Sequence, residues 1–131
     1  MIVVDVNVIA YLLIPGKSTP SAERLLEADP AWAVPRLWRS ELRNILATYV
    51  RSGRIELADA LELFQRAADL VGPEEYEVDT ATILRLSKAR NCSAYDCEYV
   101  ALAEFLDLGF VTADRKLANA FPLRTRLLPD V

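Results

Sequence analysis

Apolar and polar positions follow two rhythms along this chain. Ile2-Val3-Val4 and Val6 place branched apolar residues on both alternating faces. That is the pattern of an interior strand of a parallel sheet, covered by helices on both sides. Asp5 interrupts the run near its carboxyl end. Phe110-Val111-Thr112 repeats the pattern and leads through Ala113 to Asp114. Trp32-Ala33-Val34 before Pro35 reads as a short strand, Glu77-Val78-Asp79 as a short extended piece, and Arg124 to Leu128 as an edge strand.

Between these runs the spacing becomes helical. Asn7 to Ile14 predicts a short helix capped by Asn7 and stopped at Pro15-Gly16. Thr19-Pro20-Ser21 predicts a helix start with Thr19 as cap, and Leu25, Leu26 and Ala28 facing inward. Arg36 to Ser52, closed by Gly53, carries Trp38, Leu42, Ile45, Leu46 and Tyr49 as a buried stripe, with Glu41 on its border. Ile55 to Val71 carries Leu57, Leu61, Phe64 and Ala68, and with the preceding helix suggests a helical arm. Thr80 to Ala89 turns on Ile83, Leu84 and Leu86, with Asp79 as cap. Ser93 caps a helix running to Asp107, on which Asp96 falls among Tyr99, Val100 and Ala103. Asp114 opens a last short helix to Ala120.

Strands alternating with helices predict an α/β class fold, a three-layer α/β/α sandwich around a mainly parallel central sheet. The length of 131 residues suits a single domain spanning 1–131. No stretch reaches the ~18 apolar residues of a membrane span. No charged leader precedes the first strand, so a cytoplasmic setting is expected. Two cysteines, Cys92 and Cys97, are too few for a disulfide framework. Neither belongs to a metal site.

The absence of histidine narrows the chemistry most. It removes Ser-His-Asp and Cys-His catalysis, imidazole bases and His-ligated zinc. Carboxylates, hydroxyls, Lys, Arg or an oxygen-held metal remain. A net charge of −4 argues against a general nucleic-acid coat, since such binding rests on phosphate neutralisation. It leaves room for an enzyme that neutralises phosphate locally. All four glycines are isolated, so there is no phosphate-binding loop.

Four carboxylates stand out: Asp5 and Asp114 at the carboxyl ends of apolar strands, Glu41 and Asp96 on or beside buried helix faces. Taken singly, three have plain structural roles open to them. Asp114 would cap its helix, Asp96 would complete a capping box with Ser93, and Glu41 would be a flank residue with its stem packed. No cap or turn accounts for Asp5. Taken together they need a cation, because two unit charges about 4 Å apart repel by ~4 kcal/mol at an effective dielectric of 20. Ligands bind at the carboxyl edge of such sheets. Magnesium or manganese suits an all-oxygen donor set, lowers the pKa of bound water and stabilises displacement at phosphorus. Asn7 and Thr112 would support the site, with helix capping an equal explanation for Asn7. Arg115 and Lys116 follow Asp114 and would either meet phosphate or stand as solvated surface, the plainer reading, which also covers Arg36, Arg39 and Arg43.

Val4-Asp5-Val6-Asn7, Glu41 in the helix after Pro35, Tyr95-Asp96 with Ala101-Leu102-Ala103, and Val111-Thr112-Ala113-Asp114 together resemble a PIN domain. Order and spacing are closest to the VapC-type toxins of toxin–antitoxin pairs, across essentially the whole chain. The resemblance implies a Mg2+- or Mn2+-dependent endoribonuclease with Asp5, Glu41, Asp96 and Asp114 as the metal-binding and catalytic acids, supported by Asn7 and Thr112. It further implies a homodimer acting on RNA and an antitoxin protein that blocks the site. One departure is Val6, where many members carry a small hydroxyl residue. Aspartyl-phosphate phosphatases also begin with a strand and an Asp, but need an acid where this chain has Asn7. Their Gly-Asp ending is Ala113-Asp114 here. The remaining alternative is a catalytically silent PIN-like scaffold that binds RNA or a protein partner.

Overall fold

The two most apolar runs of the sequence lie side by side at the centre of the sheet. The computed structural model describes residues 1–128. Strand β1 (Ile2–Val4) pairs in parallel with β2 (Trp32–Pro35) on one side and with β4 (Phe110–Thr112) on the other. Strand β3 (Glu75–Tyr76) extends the sheet beyond β2 and β5 (Thr125–Leu127) beyond β4, giving the order β3-β2-β1-β4-β5, parallel throughout. The central strands are buried at every position.

Alternation along those strands sorts the core into two layers. Ile2, Val4, Trp32, Val34 and Val111 face helices α1 (Val6–Leu13), α3 (Trp38–Arg51) and α4 (Leu57–Val71). Val3, Ala33 and Phe110 face α6 (Ala94–Leu106) and α7 (Arg115–Ala120), against which Leu86 of α5 (Thr80–Arg90) also packs. Helix α2 (Thr19–Ala28) rests on α1 and buries Ser21 and Ala22. This is the three-layer α/β/α sandwich that the sequence predicts. Among the described residues no helix is long and apolar enough to cross a membrane.

Several local expectations give way to tertiary context. Helix α1 starts at Val6, so Asp5 and not Asn7 is its cap. Helix α2 is preceded by Ser18, and the Thr19 hydroxyl instead donates to Tyr11 O at 2.6 Å and accepts from Gly16 N at 3.0 Å, tying the α1–α2 turn. The third parallel edge is Glu75–Tyr76, two residues before the stretch predicted as extended, where a short 3-10 turn at Gly72–Glu74 delivers the chain to β2. Leu57, Leu61 and Leu84 are exposed instead of inward-facing. Helix α4 buries Ala60, Ala67 and Val71, and so packs its small residues on α1 and β2 instead of standing off as an arm.

Candidate active site

In the order β3-β2-β1-β4-β5 the chain moves outward in one direction from β1 and in the other from β4, so the winding reverses between these two strands. A crevice opens at the carboxyl ends of strands at such a reversal. Asp5 follows β1 and Ala113-Asp114 follow β4, which places two of the four acids at this point. Sequence reasoning found them from the apolar runs that end there.

Asp5 is 6% exposed, and among the described residues its carboxylate accepts from Val8, Thr112 and Ala113. Its Oδ1 accepts from Val8 N at 3.2 Å, which makes it the α1 cap that its sequence context does not reveal. Its Oδ2 accepts from the Thr112 hydroxyl and from Ala113 N at 3.3 Å. The Thr112 hydroxyl oxygen in turn accepts from Asp114 N at 3.0 Å, so this buried threonine links the two strand-end acids. Burial pushes the Asp5 carboxyl up, and the bonds from Thr112, Val8 and Ala113 pull it back toward ionisation. Asn7 is exposed.

Glu41 stands in the first turn of α3, whose entry is fixed by β3. Glu75 accepts from Trp38 Nε1 at 2.7 Å and from Arg39 Nε at 2.6 Å. Trp38 is fully buried and stacks on Phe64 of α4, 5.4 Å between centroids. Glu41 itself reaches the opposite helix, where Tyr99 of α6 donates its hydroxyl to Oε1 at 2.5 Å. Burial raises the Glu41 carboxyl to about 7; the Tyr99 bond works against this, and Asp5, Asp96 and Glu98 add to it. Sequence reasoning missed the role of Tyr99, because its place in an apolar stripe reads as packing alone. The signal was present in its chemistry, since a buried tyrosine hydroxyl requires a partner.

Asp96 is half-buried in the first turn of α6, after the Ser93 cap whose hydroxyl accepts from Asp96 N at 3.1 Å. Burial raises its carboxyl and Asp114 adds to the rise, while Ser93 and Lys116 lower it. Asp114 is exposed and caps α7 by accepting from Leu117 N at 3.2 Å. Arg115 and Lys116 project from that turn, exposed and without an ion pair among the described residues.

The four acids therefore form a chain of electrostatic neighbours, Asp5 with Glu41, Glu41 with Asp96, Asp96 with Asp114. Among the described residues no three acids close into a ready-made metal cage. Magnesium does not require one, because it takes one or two carboxylates directly and keeps several waters. A hard cation thus fits the donor chemistry of the crevice, where burial first and neighbouring acids second raise the Glu41 and Asp96 carboxyls. Zinc does not fit, since the chain has no histidine and its thiols, Cys92 and Cys97, are half-buried and buried.

Comparison with known proteins gives a consistent picture. The model of the PIN domain family matches residues 2–121. Ribonuclease VapC9 of Mycobacterium tuberculosis is 37% identical over 124 residues, 91% of this chain and 90% of that protein. The crystal structure of PAE2754 from Pyrobaculum aerophilum superposes with a TM-score of 0.76 at 22% identity, covering 96% of this chain and 89% of the other. A toxin–antitoxin complex from Klebsiella pneumoniae matches with a TM-score of 0.73 at 16% identity over 100% of both chains.

Proposed function

This chain belongs to the PIN domain family, and on that footing we propose that it is a metal-dependent endoribonuclease that hydrolyses RNA phosphodiesters as the toxin of a toxin–antitoxin pair. One observation carries the reading. Asp5 and Asp114 stand at the ends of the adjacent strands β1 and β4, and the Glu41 carboxyl is raised to about 7 by burial, with Asp5 and Asp96 among the acids that add to the rise. Acids that raise one another's carboxyls at the mouth of such a crevice support the reading of a cation site.

Each residue has a part in the reading. Asp5, Glu41, Asp96 and Asp114 are the metal-binding and catalytic acids. When bound, Mg2+ or Mn2+ supplies the positive charge that shields these carboxylates and the scissile phosphate and lowers the pKa of an attacking water. Thr112 holds Asp5 and the backbone of Asp114 in fixed relation, so that the two strand ends act as one rigid edge. Tyr99 orients Glu41. Arg115 and Lys116 receive the phosphate backbone on the Asp114 side. Asn7, exposed at the mouth, is left to hydrogen-bond water or substrate. The reading includes a homodimer in the cytoplasm whose cognate antitoxin occupies the crevice; the Klebsiella pneumoniae neighbour is a toxin solved with its antitoxin.

The test is cleavage of total and transfer RNA by purified protein in magnesium, manganese or EDTA, beside Asp96→Asn. Metal-dependent cutting that the variant loses is the expected result. A protein that binds RNA but cuts nothing in either metal would overturn the reading in favour of a silent PIN-like scaffold.

A further inference from the structure

Three of the four acids stand where a local cap fixes the start of a helix. Asp5 is itself the cap of α1 and Asp114 that of α7, while Asp96 follows the Ser93 cap of α6. Glu41 is the exception. Helix α3 begins after Pro35-Arg36-Leu37, which offers no Ser, Thr, Asp or Asn, and Leu37 at the cap position makes no side-chain bond. A helix start of that kind needs another group to hold it.

The holding group comes from the edge of the sheet. Glu75 lies on β3 in register with Val34, beside the chain as it leaves β2 for α3. Its carboxylate accepts from Trp38 Nε1 at 2.7 Å, and from Arg39 through Nε at 2.6 Å and Nη2 at 3.4 Å. The Arg39 guanidinium also lies 5.2 Å from the centroid of the Trp38 ring. One residue on, Tyr76 O accepts from Arg36 N at 3.2 Å. Burial works to raise the Glu75 carboxyl, but the bonds from Arg39 and Trp38 and the charges of Arg39 and Arg36 outweigh it and hold it below the usual range. It therefore stays ionised, and its bonds are of the stronger, charge-assisted kind.

Trp38 and Glu41 are three positions apart and share a face of α3. Trp38 is fully buried and stacks on Phe64, so its ring sets the rotation of the helix, and Glu75 fixes the polar edge of that ring. With the rotation set, the Glu41 carboxylate meets the Tyr99 hydroxyl. An ion pair is a poor way to gain stability alone, since an apolar contact would anchor the helix at less cost in desolvation. What a forked, charge-assisted contact fixes is orientation. We infer that Glu75 is a positioning residue for the crevice, holding the first turn of α3 through Trp38 and Arg39 so that Glu41 is presented to the cation. This rests on the reading of Glu41 as a metal-binding acid, and it gives the two-residue strand β3 a part in the chemistry.

The test is Mn2+ titration calorimetry on the whole protein, comparing wild type, Glu75→Ala and Glu75→Gln, with Asp79→Ala as control. Asp79 caps α5 by accepting from Thr82 N at 2.9 Å, so its loss weakens the fold away from α3. Groups that orient metal ligands are worth roughly ten-fold in metal affinity, and Glu75→Ala is expected to weaken Mn2+ binding by about that factor. Glu75→Gln keeps an acceptor for the indole and drops only the charge, which salt screens, so it should bind Mn2+ like wild type. Asp79→Ala should do the same. If Glu75→Ala does not fold, Trp38→Phe takes its place, because it keeps the ring on Phe64 and removes only the donor; the same loss is expected. Wild-type affinity in the variant lacking the Glu75–Trp38 bond overturns the assignment and leaves Glu75 a stabilising residue. Glu75→Gln as weak as Glu75→Ala also overturns it, because Glu75 then acts through its charge. A wild type that takes up no Mn2+ removes the cation reading together with this assignment, whereas the preceding outcomes remove the assignment alone.

Discussion

Tyr99 and Glu41 are 58 residues apart in sequence and 2.5 Å apart between hydroxyl and carboxylate oxygen. Their bond joins α6 to α3. Tyr99→Phe keeps the ring stacked on Phe110 and removes only the donor. Loss of one hydrogen bond to a charged group costs about 1.5–3 kcal/mol when the acceptor stays buried. Mn2+ titration calorimetry should therefore show roughly ten-fold weaker binding in Tyr99→Phe, with cleavage reduced through kcat. Unchanged Mn2+ affinity would make Tyr99 a packing residue only.

The raised carboxyl of Glu41 makes metal-free stability depend on pH with a definite sign. Its folded pKa of about 7 lies above the ordinary 4.5, so the folded state holds the proton more tightly than the unfolded chain between those values. Stability from this group is complete below pH 4.5 and is lost as pH rises to 7. Solvent reaches part of this side chain, so the loss is roughly 1–2 kcal/mol, several degrees in melting temperature. In EDTA the difference between Glu41→Gln and wild type should shift in favour of the variant over that window. A flat difference would place Glu41 in a more hydrated setting than its burial indicates.

Asp96→Asn should abolish cleavage while leaving the EDTA-treated protein as stable as wild type or more so. The substitution removes a half-buried charge repelled by Asp114, and the Ser93 cap bonds the backbone of residue 96 and survives. A melting temperature well below wild type in EDTA would assign Asp96 a structural role.

Asp5 and Asp114 should separate in the opposite way. Asp5 is the α1 cap and also accepts from Thr112 and Ala113. Asp5→Ala strips a cap and strands buried donors, at roughly 3 kcal/mol or more. Asp114 is exposed and accepts only from Leu117 N among the described residues, so Asp114→Ala costs about 1 kcal/mol. Urea denaturation in EDTA compares the two; equal losses would contradict the burial of Asp5.

The doubly apolar runs at Ile2–Val4 and Phe110–Thr112 were legible because an interior parallel strand has no solvated face to blur the pattern. The acids at their ends were legible for the same reason. What the sequence hid depends on partners distant along the chain. Leu57 and Leu84 match helical stripes yet are exposed; Ala60 takes the core position on α4, while Leu86, already in the α5 stripe, is the one buried there. Strand β3 has two residues, too few for any period to register, and exists because Val34 and Pro35 offer it an edge. Asp5 as a cap was hidden by an apolar Val6 that could extend the strand or open the helix. Tyr99 was hidden by the two-sided nature of its side chain.

The arrangement around Asp5 has a consequence in simple valence. A carboxylate offers about four lone-pair directions, and Val8, Thr112 and Ala113 already take three of them. Little of its accepting capacity remains, so Asp5 enters any further interaction already held in place by the backbone and Thr112. Among the described residues Glu41 has given one direction, to Tyr99. The acid nearest the sheet is the immovable reference point of the crevice, and the adaptability needed to follow a ligand as it arrives and leaves is held by the helices.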